Sequence, residues 1–240
     1  MTRYPRGMSD LWSQTLVPLL GATAFFTALH VLTLRSLEPV YPRAFKLSRA
    51  GAAVVLTALG VAALIDGFPH WREAYIYSHA DGDWMRSGLL VVYGHLVADF
   101  IWMYVGARHH GIQPRKDLIL HHALGIVGFG AALYLESGYA IALVTMVTEL
   151  LPLTTGLNAW GKRVAADGLV KAADRARLHV LAWLRMPLWL SLCGLSVWAL
   201  VRGDAGELAP AYAIAAVGLA GLIALDIYWM QKCRASVDFY

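Results

Sequence analysis

The sequence predicts an all-α bundle of about seven membrane-spanning helices in a single domain. Three observations lead there. Hydrophobic residues make up 58% of the 240 positions and charged ones only 15%, against about 25% in a soluble domain. The apolar residues come in long runs rather than in alternation, as a span of about 20 residues requires. The connections are short, and the longest, 154–179, is too small to make a domain.

The runs lie at 16–34, 48–65, 88–105, 118–135, 139–153, 180–201 and 208–230. The first is too long for a cleaved leader, and no small-residue cleavage site follows it. The fifth is short, so an extended or tilted helix is expected there. Gly51 and Gly60, Gly125 and Gly128, and Gly218 and Gly221 suit close helix approach in lipid, where burial alone gives little drive. Of the two cysteines, Cys193 falls in mid-span and Cys233 beyond the last span. At about 1.5 Å per residue their depths differ too much for a disulfide.

Lys and Arg set the orientation. Arg3, Arg6, Arg72, Arg86 and Arg202 fall on one side. The other side takes most of the rest, from Arg35, Arg43, Lys46 and Arg49 through Arg115, Lys116, Lys162 and Arg177 to Lys232 and Arg234. The positive-inside rule then puts the N-terminus outside and the C-terminus in the cytoplasm. The net charge of +4 is modest and points to no nucleic-acid partner. The Ala-, Arg- and Gly-rich composition with short loops suggests a bacterial inner membrane, or the endoplasmic reticulum for a eukaryotic relative.

Ionisable residues inside spans carry the functional signal, because each costs at least about 2.5–3.5 kcal/mol near mid-bilayer. The third run holds His95 and Asp99, the fourth His121 and His122, the fifth Glu149 and the seventh Asp226. All but His95, a turn deeper, fall roughly 5–9 Å below the cytoplasmic boundary. Four helices thus bring ionisable groups to one slab. His95 and Asp99 are four apart and share a face that Trp102 continues, so the carboxylate is placed to orient an imidazole. Adjacent His121 and His122 diverge by about 100° on a helix, so they cannot fill one small pocket together. One faces the bundle interior. The other faces a neighbouring helix or the headgroups. Imidazole serves as nucleophile, general base or metal ligand.

Other candidates are weaker. His70 and His79 with Asp81 and Asp83 read as a polar outer loop, without regular metal-ligand spacing. His109 and His110 read as solvated, and His30 and His179 suggest no role. The basic segment with Lys162, Arg163, Lys171, Arg175 and Arg177 is explained by topology and anionic lipid, or as a landing site for a polyanionic substrate.

The stretch PRKD at 114–117, followed by LILHHALG at 118–125 with its histidine pair, resembles the TLC domain family. So does TELLPLTTGLNAW at 148–160, which is similar to a Glu…Pro…Asn stretch of the smaller TLC-domain proteins, with Asp99 on the preceding helix. The resemblance covers about 46–234. It implies six core helices plus one around a hydrophobic tunnel open to the cytoplasm. Ceramide synthases, members of that family, are N-acyltransferases that use acyl-CoA, and a histidine pair belongs to their active site. This chain lacks their extended acidic motif, since Glu149 is the only acid in the corresponding region, which points away from a sphingoid-base acceptor.

The expected activity is therefore lipid acyl transfer, with acyl-CoA as co-substrate and no other cofactor. His121 or His122 acts as nucleophile or general base, and Asp99 orients an imidazole. His95, Glu149, Asp226 and Asn158 bind substrate. Expected partners are membrane lipids and acyl-CoA, and a homodimer is left open. Two rivals stand beside this. One is a zinc-dependent intramembrane lipid hydrolase built on His and Asp ligands. The other is a lipid-binding or lipid-translocating protein without catalysis.

Overall fold

A computed structural model of the chain describes residues 12–71, 83–113 and 115–237. Arg3, Arg6, Arg72, His79, Asp81 and Pro114, named above, lie outside the described residues. Among those described, every regular element is helical. Seven helices are long and apolar enough to cross a membrane: α1 (Trp12–Leu37), α2 (Tyr41–His70), α3 (Trp84–His110), α4 (Lys116–Leu135), α5 (Tyr139–Arg163), α6 (Asp167–Arg202) and α7 (Gly206–Ala235). The chain is an integral membrane protein. Its outer surface agrees with this, since Tyr134, Trp183, Val201 and Val217 are among its most exposed side chains.

Each apolar run lies within a longer helix. A polar residue ends an apolar run without ending the hydrogen-bond ladder, so 154–179 is not the connection expected. Helix α5 continues to Arg163 and α6 begins at Asp167. The break falls where Ala165 takes a positive φ of 53° and the Ala166 N–H closes onto the Gly161 carbonyl at 2.9 Å. The first part of α6 is amphipathic: Val170 and Ala173 are buried while Lys171 and Arg175 face outward.

Contacts run from α2 to α5, α6, α7, α4, α3 and back to α2, closing a ring of six helices. Helix α1 lies outside, against α3 and α2. The α2–α5 seam is the tightest. A Cβ on Gly60 would lie 2.5 Å from the Val147 backbone nitrogen, and one on Gly156 would lie 2.3 Å from the Ala50 Cβ. Only glycine permits that approach. At one end of the ring, Glu38 in the α1–α2 turn pairs with Arg43 at 3.2 Å and with Arg163 of α5 at 3.9 Å.

Candidate functional site

Asp99 is the polar centre of the bundle and is fully buried. Helix α3 turns it inward together with His95 one turn back, whose Nε2 lies 3.7 Å from the carboxylate. Arg49 of α2 places its Nε at 2.6 Å. His122 of α4 approaches with Nε2 at 2.9 Å, and His30 of α1 with Nε2 at 3.2 Å. Ser48 of α2 is hydrogen-bonded to the other nitrogen of His30. Four helices are therefore tied to one carboxylate. Its charge faces the Arg49 guanidinium, and His122 and His30 complete its hydrogen bonding. His30 and Arg49 are the additions to the expected set. An arginine one residue into an apolar run reads as a headgroup charge, and only the packing of α2 on α3 shows that it turns inward.

The two adjacent histidines diverge as the helix dictates. His122 faces the interior, its Nδ1 3.0 Å from the Leu118 carbonyl and its Nε2 on Asp99. Both nitrogens face oxygen atoms of the bundle, so neither is left open to a ligand. His121 points toward α7. Its ring centroid lies 5.5 Å from that of His122 and 5.5 Å from Trp229. Its Nδ1 is buried without a hydrogen-bond partner.

A second buried ion pair lies between α6 and α7. Arg185 grips Asp226 with Nε at 2.8 Å and Nη2 at 3.0 Å, and the Trp189 indole N–H donates to the same carboxylate at 2.9 Å. Arg185 also donates from Nη1 to the Thr148 carbonyl at 3.2 Å. That carbonyl is the one Pro152 cannot serve, because proline lacks an N–H. Asp226 is thus the counter-ion of Arg185. An intramembrane arginine was itself a signal that a buried carboxylate must pair with it. Asn158 lies apart from both centres. Its amide donates to Asp174 at 3.0 Å, and Asp174 pairs with Arg177 at 3.2 Å. Glu149 follows a 3₁₀ stretch, Thr145–Glu149, and is buried.

Three cavities meet at this layer. A polar one of about 370 Å³ is lined by Arg49, Arg115, His121, Glu149, Arg177, Arg185, Trp229 and Lys232, among others. A small one of about 40 Å³ shares Arg49, His121 and Glu149 with it and adds His95 and His122. An apolar one of about 100 Å³ between α4, α5 and α7 shares Gly125, Phe129, Thr145 and Leu222 with the small one. Asp99, Asp226 and Asn158 line none of the three. Shared wall residues thus set a cavity lined by cations beside one lined by His121, Glu149 and Arg49, and that one beside an apolar chamber. Such a sequence of surfaces suits an amphiphile with an anionic head and an acyl tail.

Among the described residues, no three of His, Cys, Asp and Glu are placed to hold one metal ion. The histidine nitrogens around Asp99 converge on a carboxylate already paired with the Arg49 guanidinium, so a metal cation there would sit beside a fixed positive charge. Comparison with known protein families, characterised proteins and solved structures finds no match.

Proposed function

We propose that the chain is a membrane-embedded lipid acyltransferase of the TLC type, in which His121 is the reactive group. The observation that carries this is the position of His121. It stands where the polar and small cavities meet, and its Nδ1 is engaged by nothing. The rest of the layer is held in place: Asp99 fixes His122, and Asp226 fixes Arg185. His122 and Asp99 are then positioning residues that set the rotation of α4, and with it the direction of His121.

The chemistry closes in two steps. The lone pair of His121 attacks the carbonyl carbon of a long-chain acyl-CoA. The carbon–sulfur bond breaks, and the thiolate leaves with the imidazole's remaining N–H proton. An amine or hydroxyl of the acceptor lipid then attacks the acyl-imidazole. The carbon–nitrogen bond breaks, and the acceptor's proton passes by way of Glu149 to the freed ring. The products are free coenzyme A and an amide or ester.

Incubating the purified protein with long-chain acyl-CoA and no acceptor tests this by intact-protein mass spectrometry. A fatty-acyl increment is expected in the wild type, retained in His122→Gln and lost in His121→Ala. Acylation of His121→Ala at the wild-type level would sink the assignment. A second reading has one observation in its favour. Asp99 engages His122 rather than His121, which leaves His121 without an acid to orient it, as in a protein that holds lipid without reacting with it. Intact acyl-CoA, no increment and a stoichiometric co-purified lipid would select that reading. Stoichiometric zinc in the same preparation would select the metallohydrolase.

A further inference from the structure

The polar cavity has a chemistry of its own. Arg49, Arg115, Arg177, Arg185 and Lys232 line it, against Glu149 as the single carboxylate. The four arginines are each paired, with Asp99, Asp117, Asp174 and Asp226. None of those four carboxylates lines the cavity. Each guanidinium is therefore held from outside the cavity wall, and a ligand inside meets N–H donors, with Glu149 as the one carboxylate among the lining residues. The Nε of Arg177 is buried without a hydrogen-bond partner. Lys232 stands over the Tyr228 ring, its Nζ 4.3 Å from the centroid.

We propose that this cavity is a phosphate site, which takes the phosphate of a lipid headgroup or of an acyl donor. Fixed guanidinium forks match the oxygens of a phosphate, form strong charge-assisted hydrogen bonds to it, and lose little freedom in doing so. A carboxylate head would satisfy fewer of the donors, and a cationic head would find Glu149 as the single carboxylate among the lining residues. The inference rests on reading the three cavities as one amphiphile track, but it does not require acyl transfer.

The test uses the full chain in neutral detergent, with binding read from melting temperature and from the fluorescence of Trp229 and its neighbours. The probes are dodecyl phosphate, coenzyme A, inorganic phosphate and dodecyltrimethylammonium. Dodecyl phosphate is expected to raise the melting temperature, with an affinity that falls as salt rises. The Arg177→Gln/Lys232→Gln double variant is expected to bind it about tenfold more weakly or worse. It leaves Asp174 with its Asn158 bond. Coenzyme A binding as tightly as dodecyl phosphate, and lost in the same variant, assigns the phosphate to the acyl donor. Binding of dodecyl phosphate without coenzyme A assigns it to a lipid headgroup. Equal binding of dodecyltrimethylammonium, or a salt-independent affinity for dodecyl phosphate, overturns the proposal. So does a folded double variant that binds like the wild type. Wild-type protein that binds dodecyl phosphate but gains no fatty-acyl increment from acyl-CoA separates the two readings, because it keeps the phosphate site and loses the transferase.

Discussion

At the scale of single residues, Asp99 and Asp226 each anchor a closed group of buried polar side chains, and the His121 imidazole stands outside both. Arg185 and Asp226 form the tighter group, with two hydrogen bonds between them and a third from Trp189. Both side chains are almost wholly inaccessible. Removing one partner strands the other, at a cost of about 3–5 kcal/mol. Replacing both by apolar residues removes that cost and loses only the pair's own net contribution, which is small or unfavourable. Arg185→Met is therefore expected to destabilise the fold strongly, and Arg185→Met/Asp226→Leu to recover most of the loss. Reversible unfolding in mixed micelles measures both. A double variant as unstable as the single one would show that Arg185 acts through the Thr148 carbonyl instead. The acids and histidines of this layer were visible in the sequence, because ionisable residues stand out in apolar runs. Their partners were not. Which of two adjacent histidines turns inward depends on the rotation of α4 against α3 and α7, and no spacing within α4 encodes that.

At the scale of elements, α5 decides where Glu149 stands. Its backbone tightens to a 3₁₀ turn over Thr145–Glu149, where the hydroxyls of Thr145 and Thr148 donate back to the carbonyls of Ala142 and Thr145 at 2.6 and 2.7 Å. Such back-bonding offers the helix carbonyls a competing donor and bends the helix. Gly60 of α2 packs on this same stretch, with only 2.5 Å between its ideal Cβ position and the Val147 nitrogen. Because the obstacle is backbone, Gly60→Ala can be accommodated only by moving α5. We expect a loss of about 1–3 kcal/mol together with a loss of ligand binding, since the shift carries Glu149 with it. A Gly128→Ala control should be nearly neutral, because nothing lies within 4 Å of that Cβ. Equal stability of the Gly60→Ala protein would mean that the seam is looser than the helices suggest. The sequence marked both glycines as packing residues. It could not distinguish Gly60, pressed against a neighbour, from Gly128 and Gly218, which open onto the apolar cavity. It also ended the fifth span at 153, because hydropathy reports the solvent around a helix and not the helix itself.

At the scale of the whole molecule, the mouth of the polar cavity and the excess of Lys and Arg belong to the same end of the bundle. Arg115 opens α4, Arg177 lies in the first part of α6, and Lys232 closes α7. The Glu38 pairs with Arg43 and Arg163 tie the α1–α2 turn to the end of α5 at that level. Arg49 is drawn into the bundle by Asp99, yet the asymmetry survives its loss from the count. The positive-inside rule then predicts that this end faces the cytoplasm. In a bacterial host, a C-terminal green fluorescent protein fusion should fluoresce and a C-terminal alkaline phosphatase fusion should be inactive, with the reverse expected for N-terminal fusions. The outcome bears on the chemistry as well as on topology. Acyl-CoA is a cytoplasmic donor, and its polyanionic head does not cross the bilayer unaided. A C-terminus outside would place the cationic mouth where no acyl-CoA reaches it. The proposed phosphate ligand would then have to be a lipid of the outer leaflet, and the proposed transfer at His121 would need an acyl donor drawn from the membrane itself.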